Sequence, residues 1–394
     1  MKDADAQKIL ESLERDGLSR TLVPTRIDGA RAHCAGGDFI NLASNDYLGL
    51  SADTRLQSEF LESLPSRGRG FLMGAVSSRL LGGDNPAFGD FEDYLAGAYS
   101  EIAGAERGAL VFNCGYHANS GILPAVCTPR DLVLFDKLSH ASLLDSIGSL
   151  PCKWARFPHN DTAKLREILR LRRADFDNVY IATESVFSMD GDRADLPALA
   201  ALKRQFDCSL YVDEAHAAGV FGASGLGMCE LSGVAGDVDF IMCTLGKAFA
   251  SVGAYVVCSP QMRRILINRC RTFIFTTAIA PINVLWTRFV FERVRGMSER
   301  RGRLAEISAR LRKSLSGFPT LGDTQILPVV LGSNAAAADA ARVMRGAGIW
   351  CPPVRYPTVP KNSARLRLSL NAALSDSDVA AVEGAFSKLR EAEK

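Results

Sequence analysis

The chain has no apolar run long enough to span a bilayer, so a membrane-crossing helix is not expected. Its opening, Met1-Lys2-Asp3-Ala4-Asp5, carries acids and leads into no hydrophobic stretch, so a secretory leader is not expected either. No CxxC pair occurs among the ten cysteines, which argues against a zinc site or a disulfide framework. Cys34, Cys114, Cys208, Cys243 and Cys351 sit beside small or apolar residues and are expected to be reduced and mostly buried. The expectation is a reducing, cytoplasmic setting, with no metal. Net charge is scarce as well: 46 Lys and Arg against 44 Asp and Glu leave +2, so nothing points to nucleic acid. Neither a Walker loop nor GxGxxG is present, which speaks against a nucleoside triphosphate or a dinucleotide.

What is there suits an ordinary globular protein: 394 residues, 47% hydrophobic and 23% charged. Residues 1–50 read as an N-terminal helix and strand segment, with Ile9, Leu10 and Leu13 at helical spacing. Residues 51–285 read as the large domain. Four apolar runs there, Ala109–Phe112, Leu132–Asp136, Val179–Glu184 and Ser209–Glu214, alternate with helical stretches, and Asp239–Cys243 is a fifth. Strands apolar throughout and alternating with helices predict an α/β fold, its mostly parallel sheet covered on both faces. Arg67–Gly83, dense in Gly and Ser, fits either a solvated loop or a segment that another chain or a ligand approaches closely.

Residues 286–394 read as a smaller α+β domain. A long helix from Pro281 through Trp286, Phe289, Val290 and Leu304 links to it, its arginine-rich face solvated. Strand Ile326–Leu331, helix Ala335–Arg345 and a half-buried alternating strand Ala364–Leu370 follow. Ser375 and Asp378 form a capping box for the last helix.

In such sheets ligands bind beyond the carboxyl ends of the strands, and the chemistry-bearing residues fall there. Lys247 follows the strand Asp239–Cys243 and Gly246, where its amine can be partly desolvated and lose a proton. Gly115, Tyr116 and His117 open a helix whose free N–H groups suit an anion, and Ser188 and Thr244 add hydroxyls, so a phosphate fits. Asp213 ends a buried strand, where it serves either as a helix cap or as the partner of a protonated pyridine nitrogen. His216 can reach a phenolic oxygen, and His140 can lie flat on a ring. Together these parts describe a site for pyridoxal 5'-phosphate (PLP).

The motifs carry a resemblance. SNDYLGL (44–50), NCGYHAN (113–119), KLSHAS (137–142), HND (159–161), TESVFSMDGD (183–192), VDEAH (212–216), TLGK (244–247), FIFTTA (273–278) and PTVPKNSARLRLS (357–369) resemble the α-oxoamine synthases, fold-type-I PLP enzymes. The resemblance covers nearly the whole chain. It implies that Lys247 is the Schiff-base lysine and proton-transfer base, Asp213 the pyridinium partner, His216 the phenolic-oxygen partner and His140 the stacking ring. Gly115, Tyr116, Ser188 and Thr244 are implied cofactor contacts. Thr276 and Thr277 are implied to reach the phosphate of a neighbouring subunit, hence a homodimer with shared sites. Arg355, Thr358, Asn45 and Arg20 are implied substrate contacts.

The implied reaction joins L-alanine to pimeloyl-CoA or pimeloyl-acyl carrier protein with loss of carbon dioxide. A family member using glycine or serine with another acyl group is the alternative, and a non-catalytic PLP-fold binding module a further one. The chain departs from the family pattern at Ala250, where glycine is common, and at Ala217-Ala218.

Overall fold

The computed structural model describes residues 1–16, 18–64 and 73–392; the part of the Arg67–Gly83 segment before Met73 lies outside them. The chain divides into two compact units. One comprises Met1–Asn45, Met189–Gly191 and Leu304–Lys394, and the other Asp46–Ser188 and Asp192–Arg303. No helix among the described residues is long and apolar enough to cross a membrane.

The first unit starts with the helix Asp3–Arg15 and the antiparallel strands β1 (Thr25–Asp28), β2 (Arg31–Cys34) and β3 (Gly37–Asn41).

The larger unit is built on seven strands: β4 (Gly108–Phe112), β5 (Leu132–Asp136), β6 (Lys153–Phe157), β7 (Val179–Glu184), β8 (Ser209–Asp213), β9 (Phe240–Thr244) and β10 (Ala254–Cys258). Their order is β4-β10-β9-β8-β7-β5-β6, and only β10 runs against its neighbours. Strands β4, β5, β7 and β10 are buried at every position, as expected of a sheet covered on both faces. The register aligns their carboxyl ends: Glu184 pairs with Asp213, and Asp213 with Met242 two residues before Thr244. Helix boundaries follow local chemistry. Pro86–Ala103 opens where the Asn85 side chain accepts from Ala87 N–H, has Pro86 in its first turn, and stops at Gly104 with φ 64°.

The first unit resumes with β11 (Ile326–Gly332), β12 (Ile349–Trp350), β13 (Pro353–Val354) and β14 (Ala364–Ser369). Strand β12 adds to β3 in parallel, Ile349 opposite Ile40, and Ser369 N–H donates to Leu42 O at 2.9 Å. The N-terminal segment is therefore no separate body; the C-terminal strands complete its sheet. The capping box holds: Ser375 N–H donates to Asp378 Oδ2 (3.0 Å), and Asp378 N–H to Ser375 Oγ (3.1 Å).

Four expectations change. The long linking helix is two helices, Pro281–Arg295 and Ser298–Ser314, broken at Gly296. The division between units falls after Arg303, not at 285/286, because the first of these helices buries Val284, Val290, Phe291 and Val294 in the large unit. Phe291 alone stacks on Phe249 (5.0 Å) and meets Phe91 and Tyr255 edge-on, and each such burial stabilises by about 1.5–3 kcal/mol.

The arginines there are not all solvated. Arg301 turns inward and donates to Val294 O and Ala223 O, each at 2.7 Å, tying the break together. Finally, β14 is buried at all six positions, not half-buried. Arg365 is held by the Asp190 carboxylate and Met189 O, and Arg367 by Asn45 Oδ1 and Ser369 Oγ, so both guanidinium groups are compensated inside.

Candidate active site

Lys247 leaves β9 through a tight turn. Leu245 N–H donates to Gly253 O (2.9 Å), Ser251 N–H to Leu245 O (3.0 Å) and Ala250 N–H to Lys247 O (2.9 Å). Ala250 sits at φ 45°, the left-handed region, which accounts physically for glycine being common at that place. Ala250→Gly is expected to raise stability by about 0.5–1 kcal/mol, read as a higher melting temperature. The lysine is half-buried, with Nζ 2.7 Å from His216 Nε2. His216 Nδ1 lies 2.6 Å from the hydroxyl of Tyr47, which is fully buried. An ammonium at Nζ donates to Nε2, and Nδ1–H then donates to Tyr47.

Asp213 lies one strand away, 3% exposed. Its Oδ1 accepts from Ala215 N–H at 2.8 Å and its Oδ2 from Asn119 Nδ2 at 2.7 Å. Asn119 also donates to Ser142 Oγ (2.9 Å) and accepts from the Tyr211 hydroxyl (2.6 Å). Ser142 in turn meets His140 Nδ1 through its hydroxyl at 2.8 Å and its N–H at 3.2 Å. Nδ1 is thus an acceptor and His140 is neutral; burial pushes its pKa down, with the nearby Lys247 charge adding to this and Asp213 opposing it. Burial pushes Asp213 up, while Lys247 and the bond from Asn119 pull it back. Glu184, beside it in the sheet, accepts from His140 N–H at 2.5 Å. Burial first and the Asp213 charge second drive the Glu184 carboxyl well up, which leaves the negative charge of the pair on Asp213.

The helix Gly115–Val126 points its first turn into the same space, and its N-cap, Cys114, supplies no capping side chain. Its first N–H groups are therefore left for an anion. A Cβ built on Gly115 would lie in ordinary contact, 3.6 Å from Thr244 Oγ1, so no clash with the protein demands glycine there. What glycine leaves open is the gap between helix end and hydroxyl.

Gly115, Tyr116, Asn119, His140, Asp213, His216, Thr244 and Lys247 line one cavity of about 170 Å³. The donor set fits PLP: an amine for the aldehyde, a buried carboxylate for the ring nitrogen, an imidazole for the phenolic oxygen and a helix end for the phosphate.

Other expected site residues stand elsewhere. Ser188 follows β7 in the large unit and does not line that cavity. Asn113 Nδ2 donates to Thr276 Oγ1 (3.2 Å) and Thr277 O (2.5 Å), and Thr276 faces a small hollow of its own with Arg79. In the first unit, Arg20, Arg355 and Thr358 line a cavity of about 820 Å³, and Arg20 Nη2 lies 3.4 Å from Thr358 Oγ1. Asn45 Oδ1 instead accepts from Arg367 Nη1 at 3.2 Å.

Sequence reading missed Asn119, Tyr47, Ser142 and Glu184. Asn119 carried a signal, being a polar residue on the apolar face of a helix. Tyr47 carried none, since its partner is 169 residues away.

Comparison with known proteins agrees with the geometry. The family described as aminotransferase class I and II matches residues 37–385. The 8-amino-7-oxononanoate synthase of Chlorobaculum parvum is 45% identical over 359 residues, covering 90% of each chain. That of Haemophilus ducreyi is 41% identical over 382 residues, covering 95% of this chain and 97% of its own. A serine palmitoyltransferase variant from S. paucimobilis, solved with a PLP–myriocin aldimine, superposes with a TM-score of 0.88 at 27% identity, covering 98% of this chain and 97% of that one. The chain belongs to the class I and II aminotransferases and, among them, to the PLP-dependent 8-amino-7-oxononanoate synthases.

Proposed function

We propose that the chain condenses L-alanine with pimeloyl-CoA or pimeloyl-acyl carrier protein, releasing carbon dioxide and the free thiol and forming 8-amino-7-oxononanoate, a step of biotin synthesis. The observation that carries this reading is the Lys247 amine 2.7 Å from His216, in one cavity with the buried carboxylate of Asp213. When bound, PLP supplies an electron sink for charge developing at the amino-acid α-carbon. Lys247 removes the α-proton and later returns one, a transfer worth roughly 10²–10⁴-fold. Asp213 keeps the ring nitrogen protonated, and Asn119 keeps Asp213 aimed. His216, oriented by Tyr47, holds the phenolic oxygen. His140, neutral and anchored by Ser142, offers a flat face.

The new carbon–carbon bond joins the alanine α-carbon to the thioester carbonyl carbon, whose bond to sulfur breaks. The carboxylate leaves as carbon dioxide. On the strength of the family resemblance, Arg355 is assigned to the amino-acid carboxylate, Thr358 to a further substrate contact, Asn45 to the approach of the substrate carboxylate and Arg20 to an N-terminal substrate contact.

A homodimer follows from the same reading, with Thr276 and Thr277 reaching the partner's cofactor phosphate. Exposed apolar side chains support it: Val76, Leu81 and Phe275 stand 89%, 87% and 70% open, and Ala278 N–H joins their segments by donating to Ser77 O. Sedimentation as a monomer at micromolar concentration would contradict the dimer. A cytoplasmic setting belongs to the same reading and rests on the sequence, whose ten cysteines include no CxxC pair.

Mass spectrometry of the products from L-alanine and pimeloyl-CoA tests the reaction. The 8-amino-7-oxononanoate mass is expected; preference for glycine with acetyl-CoA, or serine with a long acyl-CoA, would replace this reading with that of another α-oxoamine synthase.

A further inference from the structure

The His159-Asn160-Asp161 motif takes no part in the chemistry above. His159 follows β6, outside the Lys247 cavity, and is held at both ring nitrogens. Nδ1 lies 2.9 Å from Asp136 Oδ1, and Nε2 lies 2.8 Å from Asp192 Oδ2. A neutral imidazole has one N–H and satisfies one carboxylate; between two it would turn a lone pair towards an anion. The geometry therefore calls for an imidazolium.

Asn160 reinforces both ends. Its N–H donates to Asp136 Oδ2 (2.9 Å), and its side-chain amide donates to Asp192 Oδ2 (2.8 Å) and Arg193 O (3.1 Å). Its backbone takes φ 52° to do so, a conformation asparagine tolerates better than most residues. The Phe187 ring packs edge-on against the imidazole at 4.4 Å.

The two carboxylates stand on different segments, one at the end of β5 and one in the loop after β7. Asp136 ends β5, receives Leu138 N–H at 2.8 Å, and leads within four residues to His140. The Asp192 carbonyl receives the N–H of Phe187, the neighbour of Ser188, at 3.0 Å. We infer that His159 is a positioning residue: as an imidazolium between Asp136 and Asp192 it ties the loop bearing His140 to the loop bearing Ser188 and fixes the spacing of these two cofactor contacts. The inference rests on the PLP role proposed for His140 and on the cofactor contact that the family resemblance implies for Ser188.

Burial alone would lower the His159 pKa, but the bonds to Asp136 and Asp192 outweigh it and carry it up to about 10. Asp136 and Asp192 bond to the ring itself; Asp190, two residues before Asp192, is a third carboxylate close by and is paired with Arg365. A raised pKa means that the bridge stabilises fully below the ordinary value of 6.5 and loses its contribution as pH climbs to about 10.

The test uses His159→Gln and Asp192→Asn. His159→Gln holoenzyme is expected to lose kcat by about 10- to 100-fold with little change in KM for alanine. Its apoprotein is expected to bind PLP more weakly in an absorbance titration. Asp192→Asn removes one of the two charges that hold the proton. Its activity should fall off at lower pH than that of wild type, and its melting temperature should decline less between pH 7 and pH 10. Wild-type PLP affinity and kcat in His159→Gln, or an unchanged pH profile in Asp192→Asn, would overturn the inference. If His159→Gln does not fold, the Asp192→Asn profile decides. Wild-type apoprotein that takes up no PLP would instead bring down the functional reading, and the positioning role with it.

Discussion

Lys247→Ala is expected to retain PLP and alanine binding while turnover collapses, by roughly 10²–10⁴-fold from the lost proton transfer alone. The reason is the division of labour in the cavity. Asp213, His140 and the N-terminus of the helix Gly115–Val126 remain in place, because none depends on Lys247 for its position. His216 keeps its bond to Tyr47. The amine, by contrast, is the one basic nitrogen that the turn after β9 delivers to the cavity on a flexible stem, and alanine cannot replace it. The measurement is steady-state kinetics beside a PLP absorbance titration. Turnover within tenfold of wild type would remove Lys247 from the chemistry.

Asp213→Asn is expected to lower kcat by about 10²–10³-fold, the usual cost of removing an oriented electrostatic partner from a dry site. The buried carboxylate is held by two donors, Ala215 N–H and Asn119 Nδ2, and burial pushes its pKa up. A pyridinium opposite it would relieve that burial, since each charge compensates the other. An amide of the same shape offers one oxygen where two donors wait, and no charge to keep the ring nitrogen protonated. Exchange of the alanine α-hydrogen with deuterated solvent, followed by NMR, isolates this effect from the acyl step. Exchange at the wild-type rate would contradict the pairing.

The sheet and most of the cavity were legible because a parallel strand buried on both faces is apolar throughout, and its first polar residue marks the carboxyl end. Asp136, Asp213 and Thr244 announce themselves in that way. Partnerships across the fold were not legible. Asn119 reaches Asp213 over 94 residues, and Tyr47 reaches His216 over 169, distances at which no local pattern survives.

Arginines misled for a related reason. The arginine-rich face of the linking helix read in sequence as solvated and the strand of Arg365 and Arg367 as half-buried, yet carbonyls, an amide and a carboxylate supplied from elsewhere in the chain let Arg301, Arg365 and Arg367 go inside. His159 shows the same limit from the other side. The motif was visible, but only the placement of Asp136 and Asp192 at its two nitrogens gave it a role.

The central claim is that PLP attaches to Lys247, and borohydride reduction of the PLP-loaded protein followed by peptide mapping tests it most directly. The pyridoxyl mass is predicted on the peptide containing Lys247 and on no peptide of Lys247→Ala. Label on a different lysine, or label that persists in Lys247→Ala, would contradict the account.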